Sequence, residues 1–383
     1  MKANRNAPGC VRDAIVKSFS LSARSLSVRE IEQKVFELIG ETPASSIRSY
    51  LRLNTPTLFI RESRGRYKVR NLELWGAATA STKGTSWCAP YTLGNATLHH
   101  HECFAWISQQ DDLSFHAVVT DPPYGLHEYT PDQQEKRRSG RGGVWRVPPT
   151  FDGHQRSPLP RFTTLSTSQL DDLYRYFLAW AQLLLPKLVP GANVVVASNP
   201  LLSYLVSRAL AEAGLERRGE IIRLTMTLRG GDRPKAAHEE FRDVSVMPRA
   251  MWEPWLVYRR PLEGRVQDNL RKWGTGGFRR PKSERPFGDV IASSPTHQAE
   301  RRLAPHPSLK PQAFLRQLVR AVLPLGKGII LDPFAGAGST LAAAQAVGYG
   351  SVGVEVDEAF FLMATESIPA LAAYEPGGGS GVL

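Results

Sequence analysis

The chain has 383 residues, 42% of them hydrophobic, and a formal net charge of +12 at neutral pH. This length predicts two or three domains, and the charge favours a polyanionic partner or an anionic surface. Three cysteines are too few and too scattered for a disulfide framework or a paired-cysteine zinc site, and the absence of a long apolar run and of a secretory signal predicts a cytoplasmic location.

The pattern of residues 1–75 predicts a small separate domain, which contains 14 lysines and arginines and 7 acidic residues. A first helix is predicted over residues 11–19. The capping-box pattern at 27–30 predicts the start of a second helix. Thr42-Pro43 predicts the start of a third, with proline at the first helical position.

A hairpin follows these helices, because residues 58–61 and 66–70 predict two strands around a basic turn. Three helices and a basic hairpin resemble a winged helix-turn-helix domain, in which the third helix enters the major groove and the hairpin lies on the DNA backbone. A helical protein-interaction module is the alternative. If the domain binds DNA, its contacting residues are Arg48, Arg64 and Arg66.

Small, polar residues at 76–90 predict a linker, and residues 91–383 predict a second domain. Its predicted strands are 117–120, 193–197, 221–228, 255–258, 328–331 and 352–356. Its predicted helices are 168–188, 201–213, 311–322, 339–347 and 358–366. This alternation predicts an α/β fold of the Rossmann-like class, with a mainly parallel sheet and helices on both faces.

Two basic, irregular stretches interrupt the alternation, at 131–160 and 229–305. In the second, lysines and arginines are mixed with tryptophans, a combination that suits a nucleic-acid surface. A solvated loop is the alternative. The candidate DNA-binding residues of both stretches are Lys136, Arg137, Arg138, Arg233, Lys235, Arg271, Lys272, Arg279 and Arg280.

The motif Asp121-Pro122-Pro123-Tyr124 follows a predicted buried strand. By itself it also fits a tight turn at a strand end. It resembles the catalytic motif of the amino-methylating DNA methyltransferases, which act on N6 of adenine or N4 of cytosine. A conjugated amino group is a poor nucleophile, and acceptors on its two hydrogens expose the lone pair. The resemblance implies Asp121 and the Pro122 carbonyl as those acceptors, and Tyr124 stacking on a flipped base.

A glycine-rich motif follows the strand at 328–331 and opens a helix. Gly336 and Gly338 allow close approach of a ligand. Glu355, 19 residues after Gly336, is placed to accept hydrogen bonds from the hydroxyl groups of a ribose. This logic serves both NAD and S-adenosyl-L-methionine, but Leu341 replaces the third glycine of the dinucleotide fingerprint. The motif resembles the cofactor loop of the amino-methyltransferases, which implies S-adenosyl-L-methionine bound by Asp332, Pro333, Phe334, Gly336, Gly338, Ser339, Thr340 and Glu355.

The segment from His306 to Pro311 resembles the family's His-Pro-x-x-Lys-Pro motif, which opens the helix beside the cofactor's methionine end. His306 and Lys310 are therefore candidate cofactor residues, although Lys310 also fits a simple helix start. Asn95, in a Gly-Asn turn, either borders the cofactor adenine or belongs to a plain turn.

The motif order resembles the β group of these enzymes, in which the catalytic motif precedes the cofactor loop. This implies a catalytic half at 91–228, a target-recognition region at about 229–305 and a cofactor-binding half at 306–370. The implied activity is direct methyl transfer to double-stranded DNA, with adenine N6 favoured by the aspartate of the motif and cytosine N4 as the alternative. The resemblance also implies a homodimer and a paired restriction endonuclease as possible partners.

Other chemistries fit the sequence less well. Three adjacent histidines, His99 to His101, cannot easily face one ion, so no metal site is predicted. No cysteine follows a proline, which argues against methylation at cytosine C5. A DNA-binding regulator with an inactive methyltransferase domain is the remaining alternative from another functional class.

Overall fold

The chain divides into two compact units, Met1–Thr85 and Ser86–Leu383, and the boundary falls inside the predicted linker. The computed structural model describes residues 14–15, 18–19, 25–40, 42–53, 59–63, 65–69, 87–123, 167–225, 231, 233–234, 237–306 and 308–376. Among these residues, no helix is long and apolar enough to cross a membrane.

Two helices whose bounds are described and a small antiparallel sheet form the described part of the first unit, together with helical residues at 14–15 and 18–19. The helices are α1 (Val28–Ile39) and α2 (Ala44–Leu53), and the strands, in sheet order, are β1 (Leu26–Ser27), β3 (Arg66–Val69) and β2 (Phe59–Ser63). The predicted capping box is confirmed, since Ser27 N–H donates to Glu30 at 2.7 Å and Glu30 N–H donates to Ser27 Oγ at 3.2 Å. The predicted hairpin is confirmed as well. Most of the helix predicted at 11–19 lies outside the described residues.

The second unit is built on one nine-stranded sheet. Its strands, in spatial order, are β10 (Val290–Ala292), β8 (Glu216–Leu224), β9 (Trp252–Arg259), β7 (Leu188–Ala197), β6 (Phe115–Thr120), β11 (Ile329–Asp332), β12 (Gly350–Glu355), β5 (Ala96–His100) and β4 (Tyr91–Leu93). Seven strands run in one direction, while β9 and β4 are antiparallel to their neighbours. The predicted mainly parallel α/β fold is confirmed.

Eight helices accompany this sheet among the described residues: α3 (Cys103–Ser108), α4 (Thr167–Leu184), α5 (Ser203–Glu212), α6 (Val266–Trp273), α7 (Gln298–Leu303), α8 (Gln312–Val322), α9 (Ser339–Ala346) and α10 (Glu358–Ala373). Alternate residues of β7 explain the layering, because a strand points successive side chains to opposite faces. Val194 packs in the cluster that includes Trp180 of α4, whereas Val195 packs in the cluster that includes Phe314 of α8. The helices therefore cover both faces, as predicted.

The sheet takes strands from all three regions defined from the sequence. Part of the stretch predicted to be irregular, 229–305, forms β9 between β7 and β8, and Trp255 on β9, one of the tryptophans of that stretch, is 1% exposed. Trp255 is therefore a core residue and not part of a nucleic-acid surface. Similarly, β5 from the predicted catalytic half pairs with β12 of the cofactor half.

Candidate active site

The site residues gather where the parallel strands end. Asp121 follows β6, Asp332 closes β11 and Glu355 closes β12, and these three strands run in parallel with β11 in the middle. Carboxyl ends of parallel strands share one edge of a sheet, which is where α/β proteins bind ligands. We call this the catalytic edge.

Asp121 is held by a lysine from a distant part of the chain. The Lys310 ammonium contacts Asp121 Oδ2 and lies 3.3 Å from Glu253 Oε1. The three side chains are 17%, 12% and 15% exposed for Asp121, Lys310 and Glu253. Burial lowers the pKa of Lys310, but the two carboxylates outweigh it and leave that pKa above its ordinary value. Lys310 therefore bridges two carboxylates and does not start α8, which begins at Gln312.

Arg223 completes this buried charge chain. Its Nη1 lies 2.7 Å from Glu253 Oε2. Its Nε donates to Ser293 Oγ at 3.0 Å and its Nη2 donates to the Ser294 carbonyl at 2.9 Å. Burial raises the pKa of Glu253, but Lys310 and Arg223 together hold that pKa below its usual range. Alternating charges run from Asp121 through Lys310 and Glu253 to Arg223, so each buried charge has a partner.

Asp332 joins the catalytic strand to the glycine-rich loop. It is 3% exposed, and its Oδ1 accepts hydrogen bonds from Thr120 Oγ1 at 2.7 Å and from Phe334 N–H at 3.2 Å. Burial raises its pKa to about 6 despite these bonds. Thr120 directly precedes Asp121, so the start of the glycine-rich loop is fixed against the catalytic motif.

Glu355 lies where the sequence predicts it, at the end of β12. Its carboxylate accepts hydrogen bonds from the backbone N–H groups of Gly336 and Asp357, both at 2.8 Å. Burial raises the pKa of Glu355. Gly336 and Gly338 have φ angles of 52° and 74°, which favour glycine. The loop is thus shaped by its glycines and tied to Glu355 through Gly336.

Gly338 has a packing role besides the predicted one. A Cβ there would lie 2.4 Å from Ile368 Cγ1, so the glycine permits contact between α9 and α10. A Cβ on Gly336 would instead lie 3.2 Å from the His306 ring, which also packs against the Phe360 ring at 4.5 Å between centroids. Burial lowers the pKa of His306. The structure thus places His306 on the glycine-rich loop and Lys310 on Asp121.

The remaining motif residues are placed as follows. Pro122 is buried and Pro123 exposed. Ser339 opens α9, and its carbonyl accepts the Gln312 side chain at 3.0 Å. Thr340 is 5% exposed and hydrogen-bonds to Asp332. Pro333 and Phe334 directly follow β11. The predicted residues Tyr124, Arg64, Lys136, Arg137, Arg138 and Lys235 lie outside the described residues.

Four predicted DNA-binding residues do not reach the catalytic edge. Arg271 and Lys272 lie on α6, which packs at the start of β7, and they pair with Asp268 and Glu263. The Arg279 guanidinium donates a hydrogen bond to the hydroxyl of Tyr349, which directly precedes β12. The carbonyl of the neighbouring Arg280 accepts a hydrogen bond from the Arg320 guanidinium. These contacts lie at the amino ends of the parallel strands, so α6 and residues 279–280 occupy the opposite edge of the sheet.

The other described candidates divide between the two units. Arg48 lies 2.9 Å from Glu32, and Arg66 Nη2 donates to the Ser25 carbonyl at 2.9 Å, both within the first unit. Arg233 is exposed in the connection from β8 to β9, and that connection leaves and re-enters the sheet at the catalytic edge.

Sequence reasoning missed the end of β5. His101 N–H donates to the Glu355 carbonyl at 2.9 Å, and the Glu102 side chain caps α3. This segment therefore lies beside Glu355, whereas Asn95 lies at the opposite edge, where its N–H donates to Gln345 at 3.1 Å. Two of these histidines stack on aromatic rings: His100 on Phe361, and His101 on Trp87 with 4.7 Å between the ring centroids. Nowhere in the described ranges do three or more ligating side chains form a metal cluster.

Arg223 and Glu253 were also missed. Neither belongs to a recognisable motif. Glu253 stands out as a carboxylate among the apolar residues of β9, whereas β8 carries several other charged residues and does not single out Arg223. Such a residue needs a charged partner when it is buried.

Comparison with known proteins agrees with this arrangement. A family model described as DNA methylase, for the N6 and N4 methyltransferases, matches residues 115–366. The chain belongs to this family. Family membership confirms the predicted DNA amino-methyltransferase class, whose methyl donor is S-adenosylmethionine.

Individual relatives are distant. The type II methyltransferase M2.DpnII of Streptococcus pneumoniae is 20% identical over 285 residues, which are 73% of this chain and 92% of that protein. The structure of the M1.HpyAVI–SAM complex has 18% identity and a TM-score of 0.44, covering 71% of this chain and 98% of the other. The cytosine-N4-specific PvuII DNA methyltransferase has 13% identity and a TM-score of 0.46, with coverages of 74% and 93%.

Proposed function

We propose that this DNA methylase transfers a methyl group from S-adenosylmethionine to the exocyclic amino group of a base in double-stranded DNA, with adenine N6 as the target. The observation that carries the proposal is the position of Asp121. Its carboxylate lies at the catalytic edge, is fixed by Lys310, and is joined through Thr120 and Asp332 to the glycine-rich loop.

The residues at this edge fit S-adenosylmethionine. The loop from Pro333 to Gly338 has two left-handed glycines, and buried carboxylates stand at the ends of β11 and β12. Asp332, Glu355 and the loop backbone would hold the cofactor, with His306 packed against Gly336. When bound, the cofactor supplies a methyl group activated by a positively charged sulfur.

The chain's own part in the chemistry is orientation. The Asp121 carboxylate accepts a hydrogen bond from one N–H of the base's amino group, and the Pro122 carbonyl accepts a hydrogen bond from the other. Both acceptors expose the nitrogen lone pair, and Tyr124 stacks on the flipped base. Rate enhancement then comes mainly from alignment of the nitrogen with the methyl group.

The connection from β8 to β9 is the proposed DNA-facing segment of the second unit. It lies at the catalytic edge and includes the exposed Arg233. Several apolar side chains are also exposed along it, namely Phe241, Val244, Val246, Met247 and Met251, and Trp252 at the start of β9 is exposed as well. Apolar side chains beside basic ones suit a surface that inserts between unstacked bases. We therefore propose, as the target-recognition region, the part of 229–305 that lies at the catalytic edge.

The first unit is proposed to be a winged helix that contacts DNA through α2 and the β2–β3 hairpin. Two observations support this proposal. Arg48 on α2 is 63% exposed and Arg66 on β3 is 44% exposed.

Methyl transfer is tested with duplex DNA and S-adenosylmethionine labelled in its methyl group. We expect label in DNA, and N6-methyladenine after digestion to nucleosides and mass spectrometry. N4-methylcytosine would correct the target base. Tight DNA binding without label would contradict the enzyme proposal and favour a regulator.

Asp121→Ala is expected to reduce the transfer rate by about 100- to 1000-fold, because one of two preorganised acceptors is removed. Asp112→Ala is the matched control, since Asp112 lies just before the opposite end of β6 and its side chain is 65% exposed. Equal loss in both variants would indicate a general effect on folding.

A further inference from the structure

Glu253 lies outside every motif, yet it contacts the residue that holds Asp121. Its Oε1 is 3.3 Å from Lys310 Nζ, and its Oε2 is 2.7 Å from Arg223 Nη1. The side chain is 15% exposed, so neither contact is a surface ion pair that water can replace. Both carboxylate oxygens are therefore committed to cations of the same buried chain.

We infer that Glu253 is a positioning residue for methyl transfer, which holds the Lys310 ammonium between two carboxylates and thereby fixes the carboxylate of Asp121. The inference rests on the proposed function of Asp121. Glu253 itself is not placed to touch the base or the cofactor, and it acts through Lys310.

The surrounding structure fixes Glu253 in turn. Glu253 and Arg223 are register partners on β9 and β8, so their side chains leave the sheet side by side. Arg223 is further bonded to Ser293 and Ser294, directly after β10. Three adjacent strands thus determine where the Glu253 carboxylate lies, and through Lys310 this geometry reaches the catalytic motif.

The charges around Lys310 also support a positioning role for Glu253. The described charged or titratable groups that face Lys310 are Asp121, Glu253, Arg223 and His306. Without Glu253, Lys310 would pair with Asp121 alone, beside the uncompensated positive charge of Arg223. Lys310 would then lose its proton more readily, and Asp121 would lose its fixed partner at alkaline pH.

The chain offers a matched control at the other end of the same strand pair. Glu216 on β8 and Arg259 on β9 also form a cross-strand ion pair, in which Arg259 is 9% and Glu216 41% exposed. Glu216→Gln removes this pair far from the catalytic edge. A merely structural role of Glu253 would make Glu253→Gln and Glu216→Gln behave alike.

The experiment compares steady-state methyl transfer to duplex DNA by the wild type, Glu253→Gln, Glu253→Asp and Glu216→Gln between pH 6.5 and about pH 10. We expect Glu253→Gln to lower kcat by about 10- to 100-fold while both KM values stay within about twofold. We also expect the alkaline limb of its pH profile to move to lower pH. Glu253→Asp, which keeps the charge, should recover part of kcat and the wild-type profile, and Glu216→Gln should match the wild type.

Two results would overturn the inference. Wild-type kcat and pH profile in Glu253→Gln would do so directly. If Glu253→Gln fails to fold, a Glu253→Asp variant that folds but has a kcat no higher than that of Asp121→Ala would do so as well. An inactive wild type would instead refute the proposed function, and the two failures are therefore distinguishable.

Discussion

At the scale of single residues, burial perturbs the pKa of Asp332 strongly. Burial raises its pKa from the ordinary 3.8 to about 6, although Thr120 and Phe334 donate hydrogen bonds to it. Between these two values the folded protein holds a proton that the unfolded chain has released. The contribution of Asp332 to the free energy of unfolding therefore falls as pH rises from about 4 to 6. At neutral pH, where Asp332 is ionised, its buried charge destabilises the folded protein.

Asp332→Asn is expected to remove this pH dependence. From pH 8 to pH 5, the wild type should gain about 1 kcal/mol of unfolding free energy from Asp332, and the variant should not gain it. Urea unfolding at both pH values measures the difference. Asp171→Asn on α4, where the side chain is 57% exposed, is the control that should behave as the wild type. An equal gain in Asp332→Asn would contradict the assignment of the shift to Asp332.

Residues adjacent in sequence were the predictable part of the site. Asp121, Gly336, Gly338 and Glu355 each stand in a local pattern that specifies a strand end or a tight loop, and the structure places them at one edge. Contacts between distant residues were not predictable. The bond from Thr120 to Asp332 spans 212 positions, and no local pattern indicates which strand ends become neighbours.

At the scale of elements, the packing of α9 on α10 depends on Gly338. Gly338→Ala combines a positive φ with a Cβ 2.4 Å from Ile368 Cγ1, and strain and overpacking together should cost about 2–4 kcal/mol. Thermal or urea unfolding measures this loss, with Gly348→Ala as a control that also has a positive φ, 78°, but meets no neighbour within 4 Å.

A double-mutant cycle separates the clash from the backbone strain. Ile368 is 1% exposed, so Ile368→Ala alone should cost about 2–4 kcal/mol through the cavity it leaves. The double variant should be less destabilised than the sum of the single variants, because the new methyl group enters that cavity. Strict additivity would show that the cost of Gly338→Ala is backbone strain alone.

Elements buried on both faces were predicted best. The apolar runs at 117–120 and 193–197 became the central strands β6 and β7, since parallel strands covered by helices read as continuous hydrophobic segments. The short edge strands β4 and β10 were missed, because three residues with one covered face carry little pattern. For β8 and β9, the connection at 225–251 is too long for a hairpin turn to be inferred from it, and their antiparallel pairing followed only from the structure.

At the scale of the whole molecule, charge and chemistry occupy different parts of the chain. Residues 1–85 hold 15 lysines and arginines and 7 acidic residues, so two thirds of the net charge of +12 lies there. Asp121, Lys310 and the glycine-rich loop all belong to Ser86–Leu383, which contains the complete nine-stranded sheet. The second unit therefore has the parts that methyl transfer requires, and the first unit has most of the attraction for phosphate.

A chain shortened to residues 86–383 should accordingly keep kcat at saturating DNA but bind DNA more weakly. Each DNA phosphate that the shortened chain no longer neutralises should reduce the slope of log K against log salt concentration by about 0.9, and we expect the first unit to neutralise several phosphates. Fluorescence anisotropy with labelled duplex between low and physiological salt gives both slopes, and circular dichroism checks that the shortened chain is folded. An unchanged slope in a folded, active variant would show that the first unit does not touch the DNA backbone, and would favour a protein partner for it.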